Sequence, residues 1–142
     1  MYTHRVTIYK APILFSLSNF KDTRGRLLVL DEIAERFFVP RRFFTISHVP
    51  VGTIRGEHGH RKCKQIIANI LGDIFILWNN SQDSGQFHLR AGEALFVPNG
   101  IWLSIKFITE NSLIVVISSE NYEQSDYFYE ISELRKEFAD DE

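Results

Sequence analysis

Short apolar runs alternate with turn residues along the whole chain, at intervals of about ten positions, a rhythm that predicts an all-β fold. Strands are predicted over residues 26–30, 43–49, 66–71, 74–78, 86–89, 94–98, 101–107 and 113–118. Their Ile, Val, Phe and Trp suit a pleated, half-buried surface. Turn chemistry separates them: Asp22-Thr23-Arg24-Gly25, Val51-Gly52, Gly72-Asp73, Pro98-Asn99-Gly100 and Glu110-Asn111-Ser112. The longest polar stretch, residues 79–85, predicts a hairpin tip. So many strands in 142 residues point to a small barrel or jelly roll. Two short helices are predicted, 31–37 capped by Asp31 and 132–138 capped by Ser132. With no internal repeat or linker, residues 1–142 read as a single domain.

Two spacings sharpen this. Gly52, His58-Gly59-His60, Gln65 and Gly72 fall on G-x5-H-x-H-x4-E-x6-G, with glutamine at the acid. Gly92, Pro98, Gly100 and Leu103 fall on G-x5-P-x-G-x2-H, with leucine at the last histidine. These are the two motifs of a cupin barrel, so the expected fold is a cupin jelly roll with a short C-terminal helix. A cupin metal takes both histidines, the acid and the last histidine, and here Gln65 and Leu103 remove half of that set. Glu57, His48 or Cys63 could stand in. On a regular strand, however, Glu57 and Cys63 differ in parity from His58 and face away. No metal and no other cofactor is expected. His58 and His60, one residue apart, share a face, and two imidazoles on one cleft can serve as general acid and base near neutral pH.

The formal net charge of -2 gives no electrostatic footprint for nucleic acid or an anionic membrane. One cysteine, Cys63, allows no internal disulfide. No apolar run reaches signal-peptide or membrane-spanning length, so a cytoplasmic protein is expected. Positive charge gathers around the first motif, at Arg55, Arg61, Lys62 and Lys64, with Arg24 and Arg26 near an earlier turn. Such a cluster beside two histidines suits a phosphorylated substrate. Trp102 and Asn99, at the Pro-Asn-Gly turn, are further candidates to line the cleft, with packing the alternative for Trp102.

With these residues in view, the chain resembles the sugar 3,4-ketoisomerases, cupins that act on dTDP-4-keto-6-deoxyglucose. The resemblance begins at Asp22-Thr23-Arg24-Gly25-Arg26-Leu27 and continues through Arg42-Phe43-Phe44, Arg55-Gly56-Glu57-His58-Gly59-His60 and Gln65-Ile66. It resumes at Pro98-Asn99-Gly100-Ile101-Trp102 and closes at Ser119-Glu120-Asn121-Tyr122-Glu123-Gln124-Ser125-Asp126-Tyr127. It implies a metal-independent homodimer with exchanged N-terminal strands, with which Val6-Thr7-Ile8-Tyr9 and Ile13-Leu14-Phe15 are compatible. It also implies ketosugar supply for dTDP-linked 3-amino sugars of surface polysaccharides. His58 and His60 would be catalytic, His58 removing the carbon-3 proton and His60 helping to protonate the 4-oxygen and relaying a proton to carbon 4. Arg55 and Gln65 would line the cleft, and Arg24 would bind the nucleotide or diphosphate. Family members commonly carry a tyrosine where this chain has Phe43, Phe44, Thr45 and Ile46, leaving Ser47, His48 or Tyr122 as substitutes. A dTDP-sugar 3,5-epimerase and a non-catalytic sugar-nucleotide-binding cupin remain alternatives, and a metal-dependent oxygenase ranks behind them. The configuration at carbon 4 stays open.

Overall fold

Whether a strand alternates or runs apolar throughout follows from how many of its faces are covered. In the computed structural model, which describes residues 10–130 with Ser132 and Glu133, two antiparallel five-stranded sheets face each other. The first has the order β1 (Ile13–Ser16), β9 (Glu93–Val97), β6 (Gln65–Leu71), β11 (Leu113–Ser118), β4 (Arg42–Ser47). The second has the order β12 (Tyr127–Phe128), β5 (Ile54–His60), β10 (Trp102–Phe107), β7 (Ile74–Asn79), β8 (Ser84–Leu89). A separate hairpin joins β2 (Ser18–Asp22) to β3 (Gly25–Val29). The jelly roll is as the motifs predict.

Ile67, Leu95, Ile114 and Val116 of the first sheet meet Ile74, Ile76, Leu103, Ile105 and Phe107 of the second in the barrel interior. On the outer face of the first sheet, Ile66, Ala68, Ala94 and Phe96 pack with Leu17, Leu28, Phe37 and Phe38. The middle of the first sheet is thus buried on both faces, and β6 is buried continuously from Gln65 to Asn69 rather than in alternation. Truncating one of these buried isoleucines to alanine would cost roughly 2–5 kcal/mol.

The predicted strands all form, with ends shifted by a few residues. The apolar pattern does not reveal β2, which is exposed along its length, or β5, whose inward positions carry histidines. The predicted 31–37 helix shrinks to α1 (Ile33–Arg36). Its N-cap is Glu32 in the left-handed region at φ 56°, with no side-chain cap, so Asp31 does not hold it. The 132–138 helix and Val6-Thr7-Ile8-Tyr9 fall largely or wholly outside the described residues. Ile13–Ser16 pairs with β9 of its own chain. Among the described residues no helix is long and apolar enough to cross a membrane.

Candidate active site

The shape of β5 decides what its side chains face. Its pairing with β10 places Leu103 opposite His58, then slips by one residue, so that Ser104 opposes Gly56 and Ile105 opposes Arg55. Glu57 is the extra residue of a β-bulge, with φ 58° beside Gly56 at φ 86°. Such a backbone favours glycine, which carries no Cβ penalty there. Because Leu103 and Ile105 both point into the barrel core, the slip brings Arg55 to the same side of the sheet as His58.

The two imidazoles stand edge to face with centroids 5.3 Å apart. Nδ1 of His58 lies 2.9 Å from its own strand's Gly56 carbonyl oxygen, and Nδ1 of His60 lies 3.1 Å from Asp126 Oδ2. Carbonyl and carboxylate oxygens only accept, so each Nδ1 carries the ring proton and each Nε2 keeps a lone pair. Nε2 of His60 is buried with no hydrogen-bond partner among the described residues. Burial pushes both rings below the usual histidine range. For His60 the neighbouring His58 adds to this, and Asp126 opposes it. Two neutral bases therefore share one pocket, lined with them by Cys63, Gln65, Leu103 and the apolar Val97 and Ile101.

The last described strand completes the site. Tyr127 on β12 is the cross-strand partner of His60, and Phe128 lies opposite Gly59. The Tyr127 ring centroid is 4.4 Å from that of His60 and 4.9 Å from that of His58. The Arg42 guanidinium, at the start of β4, acts on the Tyr127 phenol against the upward push of burial. Asp126 also organises the turn after β5: Oδ1 accepts the Lys62 N–H at 2.7 Å and Oδ2 the Cys63 N–H at 3.2 Å. From the other side, Gly100 N–H donates to the His60 carbonyl at 2.7 Å. Gly59 is required by space. A Cβ there would stand 2.5 Å from the Ile101 carbonyl oxygen and 2.7 Å from Phe128 Cε1.

Of the residues expected here, His58, His60 and Gln65 come together, with the Gln65 amide donating to Ser118 Oγ at 3.2 Å. Arg55 is exposed but on their side of the sheet. Four others do not face the histidines. Arg24 sits at the tip of the β2–β3 hairpin, paired with Asp22 at 2.6 Å and 89% exposed. That hairpin covers the outer face of the first sheet through Leu28. Trp102, opposite Gly59, takes the face of β10 away from Leu103 and donates its indole N–H to the Tyr129 carbonyl at 3.1 Å. Asn99 spends its amide on the Arg61 carbonyl at 3.0 Å. The Lys62 side chain lies in a groove with Arg41, Glu120 and Tyr122. Cys63, expected to face away, lines the pocket, because β5 ends at His60 and strand parity stops there.

Sequence reasoning gave no role to Asp126, Tyr127 or Arg42. The Ser125-Asp126-Tyr127 segment was the visible signal, but its pairing with β5 is a long-range fact. Ser47 and His48 are exposed, 3.1 Å from each other. Phe44 and Ile46 pack on the barrel core.

The chemistry of the donor set disfavours a cupin metal. Gln65 and Leu103 occupy the remaining ligand positions, as the motifs indicate. Another trio, His60, Cys63 and Asp126, has ligand atoms within 4.8 Å of one another. A metal there would compete with the three N–H groups that Asp126 already accepts.

The sequence profile of the FdtA family (WxcM-like, C-terminal) matches residues 10–139. The chain belongs to this family. A relative of this FdtA-family chain, the TDP-4-oxo-6-deoxy-alpha-D-glucose-3,4-oxoisomerase of Aneurinibacillus thermoaerophilus, is 23% identical over 125 residues, 85% of this chain and 90% of the relative. The 3,4-ketoisomerase QdtA of Thermoanaerobacterium thermosaccharolyticum, in a histidine-to-asparagine variant bound to TDP-4-keto-6-deoxyglucose, superposes with a TM-score of 0.80 at 22% identity, over 92% of this chain and 99% of its own. WlaRB, a TDP-quinovose 3,4-ketoisomerase of Campylobacter jejuni, gives a TM-score of 0.81 at 22% identity, over 90% of this chain and 99% of its own. These structural likenesses establish the shared fold.

Proposed function

We propose that this chain is a metal-independent 3,4-ketoisomerase that converts dTDP-4-keto-6-deoxyglucose to the 3-keto isomer, and that His58 and His60 move the protons. The observation that carries the reading is the pair of neutral imidazoles, each with its Nδ1 hydrogen held by a fixed acceptor and its Nε2 lone pair free for chemistry. The family relationship and the relative's activity on a TDP-4-oxo sugar support the substrate class. Carbon 3 lies next to the 4-ketone, so its proton is acidified. His58 removes that proton to form an enediol, and His60, braced by Asp126, relays a proton to carbon 4 while the 3-hydroxyl becomes the ketone. Both redox changes stay within one molecule, so no hydride acceptor is needed. Arg55, on the side of His58, supplies positive charge for the diphosphate. The product would be a cytoplasmic precursor of dTDP-linked 3-amino sugars for surface polysaccharides.

A homodimer belongs to the same proposal. Phe20 and Leu27 face each other across the β2–β3 hairpin, 62% and 60% exposed. Such an exposed apolar pair suits a surface that a partner covers. A single monomeric species in sedimentation would refute this.

The deciding experiment is proton NMR of the nucleotide sugar with purified, metal-stripped protein in D2O. The expected result is a 3-keto product, carrying deuterium at carbon 4 to the extent that the proton held on the imidazoles exchanges with solvent, and a His58→Asn variant that binds TDP without turnover. Deuterium at carbons 3 and 5 with the ketone unmoved would make the protein an epimerase. TDP binding with no product and no exchange would make it a binding protein.

A further inference from the structure

We propose that Tyr127 is a third catalytic residue of this site, the acid that protonates the 4-oxygen and then takes the proton of the 3-hydroxyl. The inference rests on the ketoisomerase reading above and names a donor that reading lacks. The Gly56 carbonyl and Asp126 fix both histidines with the ring hydrogen on Nδ1. Both Nε2 atoms are therefore bases, and neither resting ring offers a proton to a carbonyl oxygen in the pocket. β4 supplies no phenol, since Phe44 and Ile46 are hydrocarbons. Tyr122 is 61% exposed and one ring further out, 5.7 Å from Tyr127.

Tyr127 is placed for the task. Its cross-strand position puts it on the inward side with His60, and its ring touches both imidazoles. Burial pushes its phenol above the usual tyrosine range, so it holds its proton at neutral pH. Arg42 opposes that shift and stabilises the phenolate when it forms. The groups facing Tyr127 are His58 and His60 from β5, Arg42 from β4, Cys63 from the following turn, and Tyr122 and Tyr129 from its own segment. Arg42 is the one permanent charge among them.

The steps balance. His58 takes the carbon-3 proton, and the C3–H electron pair becomes the C3=C4 bond. The carbonyl π pair moves to the 4-oxygen, which takes the Tyr127 proton. The tyrosinate beside Arg42 then removes the 3-hydroxyl proton as that oxygen becomes the ketone. The C3=C4 pair closes on the imidazolium proton, relayed between the paired rings to carbon 4. All three side chains end as they began, and no external oxidant or reductant enters.

Tyr127→Phe keeps the ring packing and removes only the phenol. Relative to wild type, its kcat should fall about 100-fold, with KM changed less than about threefold. The alkaline limb of the wild-type kcat profile, where the phenol ionises, should disappear. Arg42→Gln tests the same idea without altering the tyrosine, and serves if Tyr127→Phe does not fold. Loss of the cation should move the alkaline limb to higher pH. An active wild type, with Tyr127→Phe at near-normal kcat and an unmoved limb in either variant, overturns the role of Tyr127 alone. A wild type that binds TDP but leaves the sugar unchanged overturns the ketoisomerase reading, and this role with it.

Discussion

Gly59→Ala adds one methyl group at the point where β12 crosses β5, and its effect can be worked from contacts. The new Cβ would sit 2.5 Å from the Ile101 carbonyl oxygen and 2.7 Å from Phe128 Cε1. Both are far inside carbon contact distance, and Phe128 is almost wholly buried, so the ring cannot simply turn away. Overpacking of this kind costs about 1–3 kcal/mol. For a domain of this length that corresponds to a fall in Tm of roughly 3–10 °C. Relief requires β12 to lift from β5, and Asp126 and Tyr127 lie on or beside the segment that lifts. A displacement of about 1 Å at reacting groups is enough for a loss of roughly 100-fold in turnover. Phe128→Leu should restore the space. Alone it costs roughly 1–2 kcal/mol, and combined with Gly59→Ala it should cost less than the two separate effects by about 1 kcal/mol or more. Urea denaturation and the NMR turnover assay, applied to all four chains of this cycle, measure both quantities. If Gly59→Ala matches wild type in stability and kcat, or if the two substitutions are additive, the steric account is wrong.

Four further outcomes follow from the same geometry. Asp126→Asn replaces an acceptor of three N–H groups with a side chain that must point an NH2 at one of them, so it should destabilise the fold by about 2–4 kcal/mol and lower kcat more than it changes TDP affinity; urea titration and calorimetry with TDP check this. Burial holds His58 and His60 below the usual histidine range, so the acid limb of kcat/KM should fall below about pH 6.5, and a limb above 7 would contradict neutral, desolvated bases. Between the unfolded and the lowered folded values the unfolded chain binds more protons, so stability should drop as pH falls from about 6.5, which melts at stepped pH would show. Phe20→Ser with Leu27→Ser should convert a dimer to monomer in sedimentation without unfolding it.

The jelly roll was legible because the two motif spacings and the apolar runs record local requirements. Ile74, Ile76 and Trp78 alternate because one side of β7 faces the core. Gly52, Gly72, Gly92 and Gly100 stand where the backbone turns left-handed. The histidine pair was legible for the same reason, since residues i and i+2 of a strand share a face. What failed depended on long-range pairing or on departures from regular geometry. Trp102 was assigned to the cleft by adjacency to a turn, yet its register opposite Gly59 sends it the other way. Parity excluded Cys63, but parity ends with the strand. Asp126 and Tyr127 are more than sixty positions from the histidines they touch, and nothing local to either segment records that contact.

The bulge in β5 changes how the Arg-Gly-x-His pattern should be counted. A sequence motif counts residues, whereas a sheet counts pairs, and Glu57 belongs to the first tally but not the second. Arg55 is three positions from His58 along the chain but two pairing steps away along β10, a spacing of about 7 Å at the usual strand rise. The unspecified position of the pattern is then the residue that pairing skips, an exposed side chain held at a left-handed φ of 58°. Gly56 is the fixed one, because straightening the backbone there would restore strict alternation and carry Arg55 to the opposite surface of the sheet from the histidines.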